Sequence, residues 1–144
     1  MIKLVIPYII ILSLFLLLDI PVILYINRSM YDNQFNRINL CSNNSILNYR
    51  KYISGIIAYF LLTLCIYIFI VKPEINNYKQ DYNDIIIRGM ILGLVVYGVY
   101  NTTNLVTIKE WGLIESIVDT IWGSFLFGLI SGLSIYLIKE IILL

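Results

Sequence analysis

Three observations predict an all-α integral membrane bundle of four transmembrane helices. Of the 144 residues, 60% are apolar and only 13% charged, against about 45–50% and about 25% in a typical soluble chain. The mean hydropathy is +0.86. Four stretches each hold the roughly 20 mostly apolar residues that cross a hydrocarbon core about 30 Å thick, at about 1.5 Å of rise per residue. Four such helices, with so little polar sequence between them, could not all cover one another in water. The composition therefore excludes an ordinary soluble enzyme, a disordered tail and a secreted disulfide scaffold.

The first span is expected at residues 4–26. Lys3 followed by an apolar run has the outline of a signal peptide, but no small-x-small cleavage motif follows. The run also continues past Asp19 to Tyr25, so the segment is expected to be retained. Pro21 has no N–H and frees the carbonyl of Leu17 four residues earlier. Freed backbone at membrane depth needs cover from protein or a water-filled cavity, so this part of the helix is expected to face inward.

The second span is expected at 52–71, with Tyr52, Tyr59, Thr63 and Tyr67 on one face. The third and fourth, at 85–108 and 113–138, are separated by only a few residues, which predicts a tight antiparallel hairpin. Together these form a single four-helix domain over 1–144, with both termini on one side of the membrane. The Asn-rich segment 27–51 reads as a connection on the opposite side. It holds the formal glycosylation acceptors Asn27-Arg28-Ser29 and Asn43-Asn44-Ser45, which so Asn-rich a chain produces by chance.

The net charge is +1, from ten basic and nine acidic residues, so nothing points to a nucleic-acid partner. Lys3, Lys72, Lys79, Arg88 and Lys139 on the terminal side balance Arg28, Arg37, Arg50, Lys51 and Lys109 on the other. An even split names no orientation under the positive-inside rule. The chain has no His, which removes the commonest general base and zinc ligand. Cys41 and Cys65 lie in a polar connection and an apolar run, and are read as free thiols. No cofactor and no metal is expected.

Polar groups inside the spans carry the rest. Asp19, Asn101, Asn104 and Asp119 are all displaced from the centres of their spans toward the side of the 27–51 connection. Reflection about the hairpin turn sets Asn101 opposite Asp119, Tyr97 opposite Gly123, and Asn104 near Ser116. Tyr97, Asn101 and Asn104 are spaced i, i+4, i+7, as are Glu115, Asp119 and Trp122, so each set shares a helix face. Tyr59, Thr63, Glu115 and Lys109 are placed as partners of this cluster. Small residues at Gly89 and Gly93, and at Ser124, Gly128 and Gly132, allow close helix approach. Gly128 and Gly132 could serve a homo-oligomer or be used within the bundle, with the lipid bilayer as the remaining partner.

The run Tyr97-Gly98-Val99-Tyr100-Asn101-Thr102-Thr103-Asn104-Leu105-Val106-Thr107, then Lys109 and Trp111, then Val118-Asp119-Thr120-Ile121-Trp122-Gly123, resembles a known family. It is similar to a family of small four-span membrane proteins known as domain of unknown function 2177. That family's pattern reads Tyr-Asp-x-Thr-Asn-x-x-Thr, then Trp, then Val-Asp-x-x-Trp-Gly, with an Asp in the first span that Asp19 matches. The resemblance spans essentially the whole chain and implies a multi-pass membrane protein without naming an activity. Asn101 stands where the family usually has Asp. Two facing carboxylates would repel, so the replacement implies a hydrogen-bonded Asn101–Asp119 pair.

Three function classes follow. The polar residues are structural glue between helices, or they form an inward-facing site for a proton, cation or small polar solute, as in a transporter or channel. An intramembrane enzyme is disfavoured by the missing His, the missing Gly-rich phosphate loop, and the lack of a Ser or Cys beside an evident base.

Overall fold

The structure is a computed structural model that describes residues 2–37, 45–75, 77 and 81–143. Cys41, Asn43 and Asn44, Tyr78 and Lys79 lie outside the described residues. Helix α1 (Ile2–Pro21) continues as a π-helical turn over Val22–Ile26, and α2 is Arg28–Arg37. Helix α3 (Ser45–Ile66) likewise continues as a π-helical turn, Tyr67–Val71, and ends in the short α4 (Lys72–Glu74). Helices α5 (Tyr82–Thr107) and α6 (Leu113–Leu143) complete the chain. Four segments are long and apolar enough to cross a membrane: Val5–Ile26, Tyr52–Glu74, Tyr82–Thr107 and Leu113–Ile141. They overlap the four predicted spans throughout.

Both wide turns lie beside a proline. Pro21 ends the regular part of α1, and the widened turn after it closes when the Asn27 N–H donates to the Val22 carbonyl at 2.8 Å. Pro73 lies just beyond the second, and has no N–H to donate to the Phe69 carbonyl four residues earlier, within that turn. Inserting one residue into the turn is a common way for a helix to absorb such a defect. The first span is thus widened in the turn that follows Pro21, next to the expected break.

Helix α6 lies at the centre. Leu126, Phe127, Ile130, Ile135 and Ile138 are buried on it, packed with Ile11 and Phe15 of α1, Ile66 of α3, Ile70 and Val71 beyond it, and Ile85 of α5. Phe15 meets Phe127 edge-to-face with centroids 5.4 Å apart and planes at 72°. Such pairs contribute about 0.5–1.5 kcal/mol beyond their buried area. The outward faces carry Leu17, Ile56, Leu61, Val99 and Ile121, all exposed, as lipid-facing side chains should be.

The α5–α6 seam is built on small residues. Ile85, Gly89, Gly93, Tyr97 and Asn101 recur every four residues and so share one face of α5. A Cβ at Gly89 would strike Ser131 and the Phe127 carbonyl, and one at Gly93 would strike the Gly123 carbonyl and Phe127. From the α6 side, Gly123 takes the Tyr97 ring, Gly128 faces Met90 and Ile86, and Gly132 faces Ile86. These pairings run antiparallel. Gly128 and Gly132 therefore serve packing within the chain.

At the terminal end, Arg88 pairs with Glu74 and with Asp84 at 2.8 Å. Asn77 donates to Glu74 at 2.9 Å, and Lys139 reaches the Asn77 carbonyl at 3.3 Å. This network ties the end of the second span to α5 and α6. Cys65 is a half-buried free thiol.

Candidate functional site

Ile11, Phe15 and Asp19 recur every four residues on α1 and are all buried, so the helix period carries one carboxylate onto the same face as the core. Asp19 is 4% exposed. It accepts from the Tyr59 hydroxyl of α3 at 2.9 Å and from Trp122 Nε1 of α6 at 2.9 Å. One carboxylate thus joins three helices, and both donors satisfy groups that could not remain unpaired in an apolar interior.

A second carboxylate lies on the same face of α6. Asp119 accepts from Asn101 Nδ2 across the hairpin at 2.8 Å. Asn101 also reaches Thr120 Oγ1 at 3.3 Å. The other Asp119 oxygen takes the Tyr31 hydroxyl at 2.6 Å. Tyr31 belongs to α2, a helix within the connection expected between the first two spans. Residues 28–37 form a helix whose exposed side carries the Arg28–Asp32 pair one turn apart, at 3.5 Å. Tyr31 and Gln34, three residues apart, turn toward the bundle, and Gln34 is buried.

Burial, reinforced by the neighbouring Asp119 charge, raises the pKa of the Tyr31 hydroxyl above the usual tyrosine range. It therefore stays protonated as a donor at physiological pH. Tyr31→Phe is expected to remove this tie, worth about 1 kcal/mol. Amides of α2 should then exchange roughly fivefold faster in hydrogen-exchange measurements while those of α6 are unchanged.

The two carboxylate sites share one cavity of 290 Å³. Its wall includes Asp19 from α1, Tyr31 and Gln34 from α2, Gly55, Ala58 and Tyr59 from α3, Tyr97, Tyr100 and Asn101 from α5, and Glu115 and Asp119 from α6. Trp111 of the hairpin turn completes it, meeting Tyr100 edge-to-face at 5.8 Å and 83°. Among the described residues, none pairs with the buried Gln34 Oε1 or Trp111 Nε1. The first two turns of α6, the hairpin turn and α2 all contribute, so the cavity lies at the end of the bundle where α5 turns into α6.

Of the residues singled out from the sequence, Asp19, Tyr59, Tyr97, Asn101, Glu115 and Asp119 line this cavity, and Trp122 is tied to it through Asp19. Three others are not brought into it. Asn104 hydrogen-bonds Tyr100, one turn away on its own helix. Its reflected neighbour Ser116 instead donates to the Gly112 carbonyl at 2.7 Å. Thr63 is buried and does not line the cavity, with no partner for its hydroxyl among the described residues, and Lys109 is exposed at the turn. Tyr52 is 75% exposed, so the aromatic face of the second span does not extend to it.

Residues 4–136 match the family described as "Predicted membrane protein (DUF2177)". The chain belongs to that family. No curated protein and no solved structure matches it. With four membrane-spanning helices and this membership, the chain is a multi-pass integral membrane protein of the DUF2177 family.

Proposed function

We propose that this DUF2177 protein binds a small polar solute in the cavity between its helices. The observation that carries the reading is that polar side chains from α1, α2, α3, α5 and α6 line one open volume, which their mutual hydrogen bonds do not fill. Helices held only by polar contacts gain most when every buried donor and acceptor is satisfied, since each orphan costs about 1–3 kcal/mol. Here no described residue pairs with the buried Gln34 Oε1 or Trp111 Nε1 at the wall. The volume lies near the lower end of the roughly 300–1,000 Å³ common for small-molecule sites.

The Asp19 and Asp119 hydrogen bonds then have two roles. They fix the helices, and they hold two carboxylates at the wall in defined rotamers. Binding is the part of the transporter alternative that the geometry supports. A flux assay on the protein in vesicles decides whether the solute also crosses.

Gly55 supplies the test. It lines the cavity, and a Cβ there would meet nothing within 4 Å. Gly55→Leu should fill part of the volume and raise stability by about 0.5–1 kcal/mol through helix propensity. Purified protein is titrated with choline, with its neutral isostere carrying carbon in place of nitrogen, and with the corresponding carboxylate, following melting temperature and tryptophan fluorescence. At least one probe should stabilise the wild type and fail to stabilise Gly55→Leu. If none does, or if the filled variant responds equally, the binding reading falls.

A further inference from the structure

The geometry points to a small neutral polyol as the ligand of this cavity, its hydroxyl groups meeting both donors and acceptors at the wall and its carbon skeleton lying against aromatic rings. The inference rests on the binding reading above and names the chemical class that reading leaves open.

Hydrogen-bonding complementarity comes first. Gln34, 4% exposed, and Trp111 both line the cavity. Among the described residues nothing pairs with Gln34 Oε1, an acceptor, or with Trp111 Nε1, a donor. Tyr97 adds a hydroxyl to the same wall, which both donates and accepts. An ammonium group carries donors alone and leaves the indole N–H unanswered. An ionised carboxylate carries acceptors alone and leaves the Gln34 oxygen unanswered. Hydroxyl groups serve both, since each has one O–H to donate and lone pairs that accept.

The carboxylates fit the same class. Each oxygen of Asp19 and of Asp119 accepts one hydrogen bond from within the chain. A carboxylate has about four lone-pair sites, so both groups keep acceptor capacity for a ligand hydroxyl. Asp19, Gln34, Tyr97, Trp111 and Asp119 come from α1, α2, α5, the hairpin turn and α6, so donors and acceptors reach the wall from five parts of the chain. A lone amide presents its donor and acceptor at one end, whereas a polyol distributes them around its skeleton.

Aromatic rings and size complete the match. Tyr59, Tyr97, Tyr100 and Trp111 bring rings to the wall. C–H bonds next to oxygen carry partial positive charge, and a ring face is the negative end of its quadrupole. Tyr100 and Trp111 meet edge-to-face at 5.8 Å, so each limits the other's orientation. The 290 Å³ volume equals roughly ten waters at about 30 Å³ each, which suits a monosaccharide or a smaller polyol.

Calorimetric titration of the protein in lipid nanodiscs with D-glucose, alongside the three probes above, tests the class. Glucose should bind the wild type roughly tenfold more tightly than the neutral isostere, which offers a single hydroxyl, with choline and the carboxylate weaker still. Trp111→Phe keeps a ring and removes the indole N–H, and Tyr97→Phe keeps its ring and removes the hydroxyl. Each should weaken glucose roughly fivefold and shift the isostere by less than about twofold. Gln34→Leu deletes an acceptor that no described residue uses, so it should weaken glucose similarly while the melting temperature of the free protein holds or rises. A Gln34 with a structural role only would lower the melting temperature and leave glucose affinity unchanged. If any of the other probes binds as tightly as glucose, or if Trp111→Phe and Gln34→Leu both leave glucose affinity within about twofold, the polyol class is overturned and the polar-solute site stands. If no probe binds, or if Gly55→Leu binds all of them unchanged, the site itself is overturned.

Discussion

Asp19→Ala is expected to destabilise the protein by about 1–3 kcal/mol, measured by equilibrium unfolding in mixed micelles. The substitution removes the one acceptor shared by Tyr59 and Trp122, so α3 and α6 lose this hydrogen-bonded link to α1 together. Interhelical hydrogen bonds in membranes average about 0.6 kcal/mol and reach about 1.7. Leaving both donors buried and unpaired adds to that loss. Asp19→Asn keeps one acceptor oxygen and should cost less than half as much. A double-mutant cycle with Trp122→Phe isolates the bond: coupling near 1 kcal/mol is expected, and coupling near zero would show that the indole is held by packing alone.

Gly93→Leu should have the largest effect of any single change, above about 3 kcal/mol. A Cβ at Gly93 already meets the Gly123 carbonyl and the Phe127 side chain. Backbone on the opposite helix cannot step aside as the end of a flexible chain can, so α5 must move away from α6. Overpacking commonly costs about 1–3 kcal/mol in cores that can partly relax. Here separation would also pull Asn101 from Asp119 and lift Tyr97 off Gly123. Gly98 is the control on the same helix: its nearest neighbour would be Thr120 Cγ2 at 3.9 Å. Gly98→Ala should be neutral or stabilising by up to about 1 kcal/mol. Equal losses at positions 93 and 98 would contradict the seam.

Much of this was legible before any coordinates. Hydrophobic length located four spans because a bilayer sets a physical minimum that few soluble segments meet. The short link between α5 and α6 fixed a mirror relation between them, and helical spacing then set Asn101 against Asp119 and Tyr97 against Gly123. Asp19 was visible because an acid in an apolar run needs a reason to be there.

What stayed hidden depended on competition that spacing does not encode. Asn104 shares a stripe with Tyr97 and Asn101, but Tyr100 one turn away is the nearer partner and takes its amide. Helix α2 lacks an apolar period. Its inward face is carried by Tyr31 and Gln34, whose burial comes from the bundle they cover. The signal that could have found it was the i, i+4 pair Arg28–Asp32 on one side with Tyr31 and Gln34 on the other. Trp111 sits in the short turn between α5 and α6, and only the fold of that turn brings it to the cavity wall.

Thiol labelling along α3 tests whether polar groups from five helices surround one cavity turned away from the acyl chains. In a background with Cys41 and Cys65 replaced by Ala, single cysteines are placed at Ala58, which is exposed and lines the cavity, and at Ile57 and Leu61, which are exposed at 52% and 59% but form no part of its wall. A charged, membrane-impermeant thiol reagent is applied to the protein in sealed vesicles of both orientations. The cysteine at 58 should be labelled at least tenfold faster than those at 57 and 61. Equal rates at all three positions, or labelling at 57 and 61 with protection at 58, would contradict the account.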